Sequence, residues 1–406
     1  MNFLTTNLFD GPDQLTSAAP ARGIAYVKLG APVGDHADWT VRGALTEGDL
    51  AAWIVAGDYK TRGDARRARD IGLSYSTQRY GGGNPLALRE MTDGARNAGS
   101  IYAFETFTVS PALTVAYGAR YERYDYLEGR SLFSPRAEVS LKPFNATRLL
   151  AAVSSRADAP GAQEFRPPSD EGIWLPPQRT FSSARQGDPL RAERTTEFSA
   201  GLERDFGPTT VAVRAFGQRV NDQMVTIFGA DIPNFPAAKL GHYVVGTAGD
   251  VAARGGSVAL RADLGERFRG SISYSNAIAQ MTPAADVDYI LLLTPTAIRA
   301  RSERVQEVTS TIEAQVPETA TRIVVLYRVG NGFAAPGGVD ETRIDSRFDV
   351  QLRQALPFLN FTSARWEMLI AIRNSFRDVT GDQSVYDERL TVQAPKRIIG
   401  GVTLHF

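Results

Sequence analysis

The sequence predicts an all-β chain, a transmembrane antiparallel β-barrel with short periplasmic turns and long external loops. Three observations predict it. Segments of strand length alternate apolar with charged residues, tight turns alternate with long connections, and the last strand ends on an aromatic residue.

Composition sets the bounds. The 406 residues suffice for one large domain or two ordinary ones, and 45 Lys and Arg balance 45 Asp and Glu. With the signs interleaved, no basic stripe is left to neutralise phosphates, so nucleic acid is excluded as a partner. Cysteine is absent, which removes disulfides, thiolate catalysis and thiolate metal sites together. No window approaches the ~20 apolar residues of a spanning helix. The most apolar short run, Tyr289 to Leu293, is far too brief. A membrane role therefore rests on strands, each needing only ~9–11 residues.

Period-two alternation is what strands require, because successive side chains point to opposite faces. Leu113, Val115, Tyr117 and Tyr121 oppose Thr114, Arg120 and Glu122. Phe198, Ala200 and Leu202 oppose Glu197, Ser199 and Glu203, and Val258, Leu260, Ala262 and Leu264 oppose Ser257, Arg261 and Asp263. The pattern continues with Ile323, Val325, Tyr327 and Val329 against Arg322 and Arg328. Phe348, Val350 and Leu352 lie opposite Arg347, Asp349, Gln351 and Arg353, and Trp366, Met368, Ile370 and Ile372 opposite Glu367 and Arg373.

A soluble sandwich with one wet face would alternate in the same way. Connection lengths separate the two. Tight turns at Phe144-Asn145-Ala146, Phe206-Gly207-Pro208, Gly265-Glu266 and Pro317-Glu318-Thr319 alternate with long connections at Ala157–Ala192, Val220–Asp250, Thr282–Arg301 and Gly330–Asp340. A barrel inserted from one side has this asymmetry over about five cycles; a sandwich has no reason for it.

The whole of 1–406 reads as one barrel domain, weakly defined before about residue 22. Counting from Arg22 gives roughly 16–17 strands. Bacterial single-chain barrels have even strand numbers, so an odd count points to part of a larger barrel, about 22-stranded. Met1 to Thr6 lacks a basic, apolar and small-residue signal, which points the same way.

In Ala103-Phe104-Glu105-Thr106-Phe107, Ser134-Pro135-Arg136 and Ala394-Pro395-Lys396-Arg397-Ile398, taken in that order from near Ser100, the chain resembles the TonB-dependent outer-membrane receptors. Ala103-Phe104-Glu105-Thr106-Phe107 followed by Leu113 to Tyr121 looks like that family's strand pair ending in Gly-x-Arg-Tyr. Ser134-Pro135-Arg136, then Ala159-Pro160 and Glu164-Phe165, is similar to its SPR…APxxxEF run. Leu190-Arg191-Ala192-Glu193, Arg373 to Asp378, Tyr386-Asp387-Glu388 and Ala394 to Ile398 follow in the family's order. The resemblance implies a bacterial outer-membrane location and energy-coupled uptake of a scarce, bulky ligand, a small molecule or metal chelate such as a ferric siderophore, cobalamin or oligosaccharide. In the family a plug fills the barrel and meets the TonB energiser. No stretch here resembles a plug, so the expectation is a fragment that does not transport alone.

The terminal strand places Ile398, Gly400, Val402, Leu404 and Phe406 on one face. In such proteins an alternating strand with a terminal aromatic docks to the barrel-assembly machinery as an edge. Outer-membrane lipid is the other expected partner.

Ligand contacts must come from external loops or the lumen. In the loop after Ala157, Phe165, Arg166, Trp174, Arg179 and Phe181 mix aromatics and cations with stiffening prolines, which suits an exposed recognition surface or, equally, loops packing on one another. Tyr289 with Ile290 to Leu293 is either a ligand-facing patch or loop packing, with packing favoured. Arg120 and Arg136 read as lumen residues pairing with Glu122 or Glu138. Catalysis finds little support. The three histidines, His36, His242 and His405, are scattered, and Gly81-Gly82-Gly83-Asn84 lacks the Lys-Ser/Thr of a phosphate cradle. No cofactor or metal is expected. A passive porin-like channel and a soluble β-sheet binding protein stand as the alternatives.

Overall fold

A computed structural model describes residues 2–9, 22–62, 66–167, 179–229, 242–285, 287–294, 302–332, 345–356, 365–374, 390–392 and 396–405. The strands begin with Asn2–Phe9 (β1), Arg22–Val33 (β2), Ala37–Thr46 (β3), Leu50–Thr61 (β4) and Arg67–Tyr80 (β5). Ala95–Ser110 (β6), Leu113–Tyr124 (β7), Ser131–Phe144 (β8), Thr147–Asp158 (β9) and Thr180–Ser183 (β10) follow. Next are Glu193–Phe206 (β11), Thr209–Phe228 (β12), His242–Leu264 (β13), Phe268–Pro283 (β14) and Glu303–Val316 (β15). Thr321–Gly330 (β16), Asp345–Ala355 (β17), Arg365–Arg373 (β18), Thr391–Val392 (β19) and Lys396–His405 (β20) complete them, with one short helix at Asp288–Leu293 (α1).

All twenty strands belong to one sheet. Two short ones, β10 and β19, pair only in parallel with β13 and β12. The other eighteen pair antiparallel with their neighbours in chain order. Strand β1 pairs with β2 on one edge, Asn2 opposite Tyr26, and with β20 on the other, Asn2 opposite Thr403. The ladder therefore runs round to its start.

The seventeen strands counted from Arg22 are present, and Asn2–Phe9, which pairs with β2 and β20, is one more. Strand β1 escaped a reading by charge alternation because Asn2 to Phe9 carries no charged residue.

The two faces of the wall differ as alternation requires. Outward are Val258, Leu260 and Leu264 of β13, Ile272, Tyr274 and Ile278 of β14, and Phe198 and Leu202 of β11, all exposed. A continuous girdle of such residues has a stable environment only in hydrocarbon. Inward residues pair across strands: Arg42 with Asp58 at 2.6 Å, Arg148 with Glu203 at 3.3 Å and Asp205 at 3.2 Å, and Arg328 with Glu307 at 3.1 Å. Burying these charges in lipid would cost several kcal/mol each, so the polar face turns to the lumen.

Short links lie at one end, including residues 34–36, 111–112, 145–146 and 207–208, and longer ones mostly at the other. The first cycle departs from the rule. Residues 47–49 form a tight link at the loop end, while 62–66 at the turn end is longer. The link after β17 and the stretch from Ser375 to Arg389 fall largely outside the described residues.

Arg120 and Arg136, expected to pair with Glu122 or Glu138, each lie over an aromatic ring. Arg120 lies 5.2 Å from the Tyr102 ring centroid and Arg136 4.1 Å from that of Phe104. Register explains it. Tyr102 is directly opposite Arg120, whereas Glu122 lies about 7 Å further along the same strand. Gly118 stands between Phe104 and Arg136 in the cross-strand row. A Cβ there would meet Phe104 Cδ1 and the Ala103 carbonyl oxygen, each at 2.3 Å, so only glycine lets the ring lie across to reach Arg136.

Candidate functional site

At the loop end, β12 and β13 run past the wall. Their register shifts between Val220 and Gln223, where Asp222 has φ 53° and Gly249 φ 127°. A Cβ on Gly249 would meet the Thr282 carbonyl oxygen at 2.1 Å, so glycine is required at this bulge. Beyond it, β13 pairs with β10, Phe181 opposite Tyr243, and β12 with β19, Ile227 opposite Val392. The result is a four-stranded cap sheet in the order β19, β12, β13, β10.

Both faces of this cap are buried. Phe228, Tyr243 and Phe181 pack with Tyr126, Phe165 and Tyr124, while Val225, Ile227, Val244 and Val392 pack with Leu86 and with Ile290 of α1. This revises the reading of Val220–Asp250 as one long connection. Strands covered on both sides lose polar alternation and read as continuous apolar runs. Met224-Val225-Thr226-Ile227-Phe228 and Tyr243-Val244-Val245 are such runs, and they were the available signal.

The aromatic cluster joins cap to wall. Phe181 stacks on Tyr243 with centroids 5.6 Å apart and meets Tyr126 edge-on at 5.3 Å. Arg96 of β6, fully buried, lies 3.9 Å from the Phe181 centroid and donates to the Phe181 and Arg89 carbonyls at 2.8 Å each. Its Nε and Nη1 have no hydrogen-bond partner among the described residues, and the ring faces of Phe181 and Tyr126 meet the charge instead. Glu164, in a 3₁₀ turn at Ala162–Glu164, accepts from Arg179 at 3.0 Å and from the Tyr243 hydroxyl at 3.3 Å. Arg166 donates to both Glu122 oxygens, at 2.7 and 2.6 Å, and to Asp158 at 2.7 Å.

Of the residues expected to present a recognition surface, Phe165 and Phe181 are therefore buried, at 2 % and 0 % exposure, and Arg179 at 5 %. They pack loop on loop, because four rings within reach of one another bury more apolar area than rings turned to water. Arg166 keeps about a quarter of its side chain accessible. Trp174 lies outside the described residues. Tyr289 is half-buried and lines a recess of about 50 Å³ with Ser183, Arg185, Asp188, Met224 and Thr247. Val402 is exposed on the outward face of β20; the side chain of Leu404, and Phe406, fall outside the described residues.

His242 has close partners that its sequence surroundings did not reveal. Its Nδ1 is 2.8 Å from the Thr180 hydroxyl and its Nε2 3.2 Å from Ser182, residues brought alongside by the β10–β13 pairing. Burial, with Arg96 and Arg89 adding to it, pushes its pKa down to about 3. The ring is therefore neutral, and with Ser182 fully buried it is a structural link between cap strands. Glu90, whose carboxylate receives the Ser183 backbone N–H at 3.3 Å, is pushed upward by burial. Among the described residues no cluster of His, Asp and Glu could hold a metal ion.

A family model described as TonB dependent receptor-like, beta-barrel, matches residues 5–320. The chain belongs to the TonB-dependent receptor family. Its members are outer-membrane receptors and transporters, and this receptor barrel shares their location. The match takes in the N-terminal quarter, where the sequence motifs were silent. No curated protein matches the chain. Among solved structures, the barrel is similar to the siderophore receptor PirA from Pseudomonas aeruginosa, at 11 % identity over 95 % of this chain and 64 % of that one, with a TM-score of 0.47. It is also similar to the FrpB iron transporter from Neisseria meningitidis, at 13 % identity, 94 % and 63 % coverage and a TM-score of 0.43. The copper transporter OprC matches at 13 % identity, 94 % and 65 % coverage and a TM-score of 0.45. The receptor barrel thus spans less than two thirds of the length of these proteins.

Proposed function

We propose that the receptor barrel is the wall and outer mouth of a TonB-dependent uptake system for a scarce, bulky ligand, either a metal chelate such as a ferric siderophore, or cobalamin or an oligosaccharide. Family membership carries this reading. In it, the plug through which the family meets the TonB energiser comes from sequence other than these residues, so the barrel alone does not transport. The ligand meets the cap first. A site for a molecule of this size needs about 300–1,000 Å³, far more than the recess beside Tyr289, so binding requires the cap to move. Tyr289 and Arg166, which keep accessible surface, are the proposed first contacts, and Phe165, Phe181 and Arg179 hold the mouth shut until then. Val402, Leu404 and Phe406 are proposed to form the edge read by the assembly machinery.

The test is equilibrium binding of a ferric siderophore panel, cobalamin and oligosaccharides to the barrel in detergent, with Y289A and R166Q alongside. The reading expects one class to bind and both substitutions to weaken it at least tenfold. Binding of none, by a barrel shown to be folded, would refute it.

A passive channel is the second reading, and the closure of the ladder through β1 favours it. It expects steady ion conductance in planar bilayers with the cap unliganded. A barrel that inserts but stays closed to ions removes it.

A further inference from the structure

At its turn end the outward face of the wall is mostly apolar. Leu141, Phe144, Leu149, Phe206, Leu264 and Phe268 are exposed there, at the lower rim of an apolar band ~25 Å tall. Strands β5 and β6 break the pattern. Arg67 and Arg69 of β5 are in phase with the exposed Ile71 and Leu73 and so point away from the lumen, and Glu105 of β6 stands opposite Arg69 on the same face.

Register sets their height. Phe107, opposite Arg67, lies three residues from Ser110 at the end of β6, or roughly 8 Å above the turn at a tilt of about 40°. Arg67 is therefore level with the aromatic rim, and Glu105, one pleat higher, lies just inside the band. A carboxylate at that depth is costly by itself. Glu105, with 20 % of its side chain exposed, is met by Arg67 at 3.6 Å and by Arg69 at 3.8 Å.

One carboxylate does not balance the cations around it. Arg66 is a third, its guanidinium 5.5 Å from the Phe107 ring centroid while that of Arg67 lies 4.9 Å away. It donates to the Thr108 and Val109 carbonyls at 3.3 and 3.4 Å, which fixes it beside the ring. Asp70 points to the lumen, opposite Phe104. The contacts of Arg67 and Arg69 with Glu105 are longer than hydrogen bonds, and among the described residues neither guanidinium donates one. Three guanidiniums beside one carboxylate leave two positive charges in excess, on side chains that stay about half exposed.

We infer that Arg66, Arg67 and Arg69, set in place by Glu105 and Phe107, form a docking surface in the periplasmic leaflet for diphosphatidylglycerol, a phospholipid whose headgroup carries two phosphodiesters. Guanidinium groups bind phosphate oxygens in forked pairs. Arg67 and Arg69 follow each other on one face about 7 Å apart, a spacing that suits two phosphates joined through a glycerol. The excess of two positive charges matches the two negative charges of that headgroup. Ile71 and Leu73, exposed higher on β5, give its acyl chains an apolar wall. A zwitterionic headgroup would instead bring an ammonium group against the same cations.

The full chain in detergent is titrated with diphosphatidylglycerol, phosphatidylglycerol and phosphatidylethanolamine. The expected result is binding of diphosphatidylglycerol at least tenfold tighter than of either other lipid. R67Q/R69Q/E105Q, which removes the carboxylate with its cations and leaves no lone charge in the band, should lose at least tenfold in affinity. R204Q, elsewhere on the same rim beside Phe206, should lose nothing. Equal binding of phosphatidylethanolamine overturns the charge recognition, and equal binding of phosphatidylglycerol overturns the match to two phosphates. An unchanged affinity in the triple variant overturns the site, as does a dimer of the unsubstituted chain that the variant dissolves, since the arginines would then meet a second copy. Where the variant lacks the gel mobility of a folded barrel, phenylglyoxal modification of the unsubstituted chain decides the place. Diphosphatidylglycerol should protect Arg67 and Arg69, and modification undiminished by the lipid overturns the proposal.

Discussion

Arg96 on the barrel wall is clamped to Phe181 on the cap, with the guanidinium 3.9 Å from the ring centroid and a 2.8 Å hydrogen bond to that residue's carbonyl. Wall and cap are thus joined at a point where neither meets water. Phe181→Ala should open the cap while sparing the wall. Truncating a buried phenylalanine typically costs ~3–5 kcal/mol. Hydrogen exchange should speed up in Thr180–Ser183 and His242–Val245 and stay slow in β6 and β7; unchanged protection of the cap strands would contradict the clamp.

His242 makes the cap sensitive to acid. Its folded pKa of about 3 lies below the unfolded value near 6.5, so as pH falls between these values the unfolded cap takes up a proton that the folded cap refuses. Stability is full above about 6.5 and declines towards 3, at up to about 1.4 kcal/mol per pH unit. Glu90, raised by burial, works in the opposite direction. Because the chain has no cysteine, a spin label on R185C reports on the cap alone. Label mobility should rise on acidification, and H242N should flatten that rise; parallel pH profiles for the two proteins would exclude His242 as the cause.

Gly118→Ala should destabilise the lumen wall. The added Cβ would sit 2.3 Å from both Phe104 Cδ1 and the Ala103 carbonyl oxygen, driving the ring off its place beside Arg136. Overpacking of this kind costs about 1–3 kcal/mol. Gly57→Ala, with nothing within 4 Å of the new atom, is the matched control. Urea unfolding in bilayers should separate the pair by at least 1 kcal/mol, and coincident curves would count against the close approach.

Depth decides the effect of a charge on the outer face. Val258 lies midway up the apolar band on β13, and its neighbour Ser257 faces the lumen. V258R should cost ~2–4 kcal/mol and S257R far less. Reversed or equal costs, again by bilayer unfolding, would mean that the two faces have been exchanged.

Much of the fold was legible in residues a few positions apart. The faces of β7, β11, β13, β16, β17 and β18 follow from alternation such as Val258, Leu260 and Leu264 against Arg261 and Asp263, because a pleated strand turns every second side chain the same way. The turns at Phe206-Gly207-Pro208 and Pro317-Glu318-Thr319 were equally local, and Gly207 at φ 64° has the conformation such a turn requires.

The tertiary structure decided whatever depends on residues distant in the chain. No local rule pairs Thr6 with Ile399, so the place of β1 beside β20 emerged only from the sheet. The cap was hidden because strands buried on both faces lose their alternation, and the ring cluster of Phe165, Phe181 and Tyr243 forms only when β10 lies beside β13. Side-chain facing is a property of two adjacent residues. Sheet order and capping are properties of which strands pair and in what register.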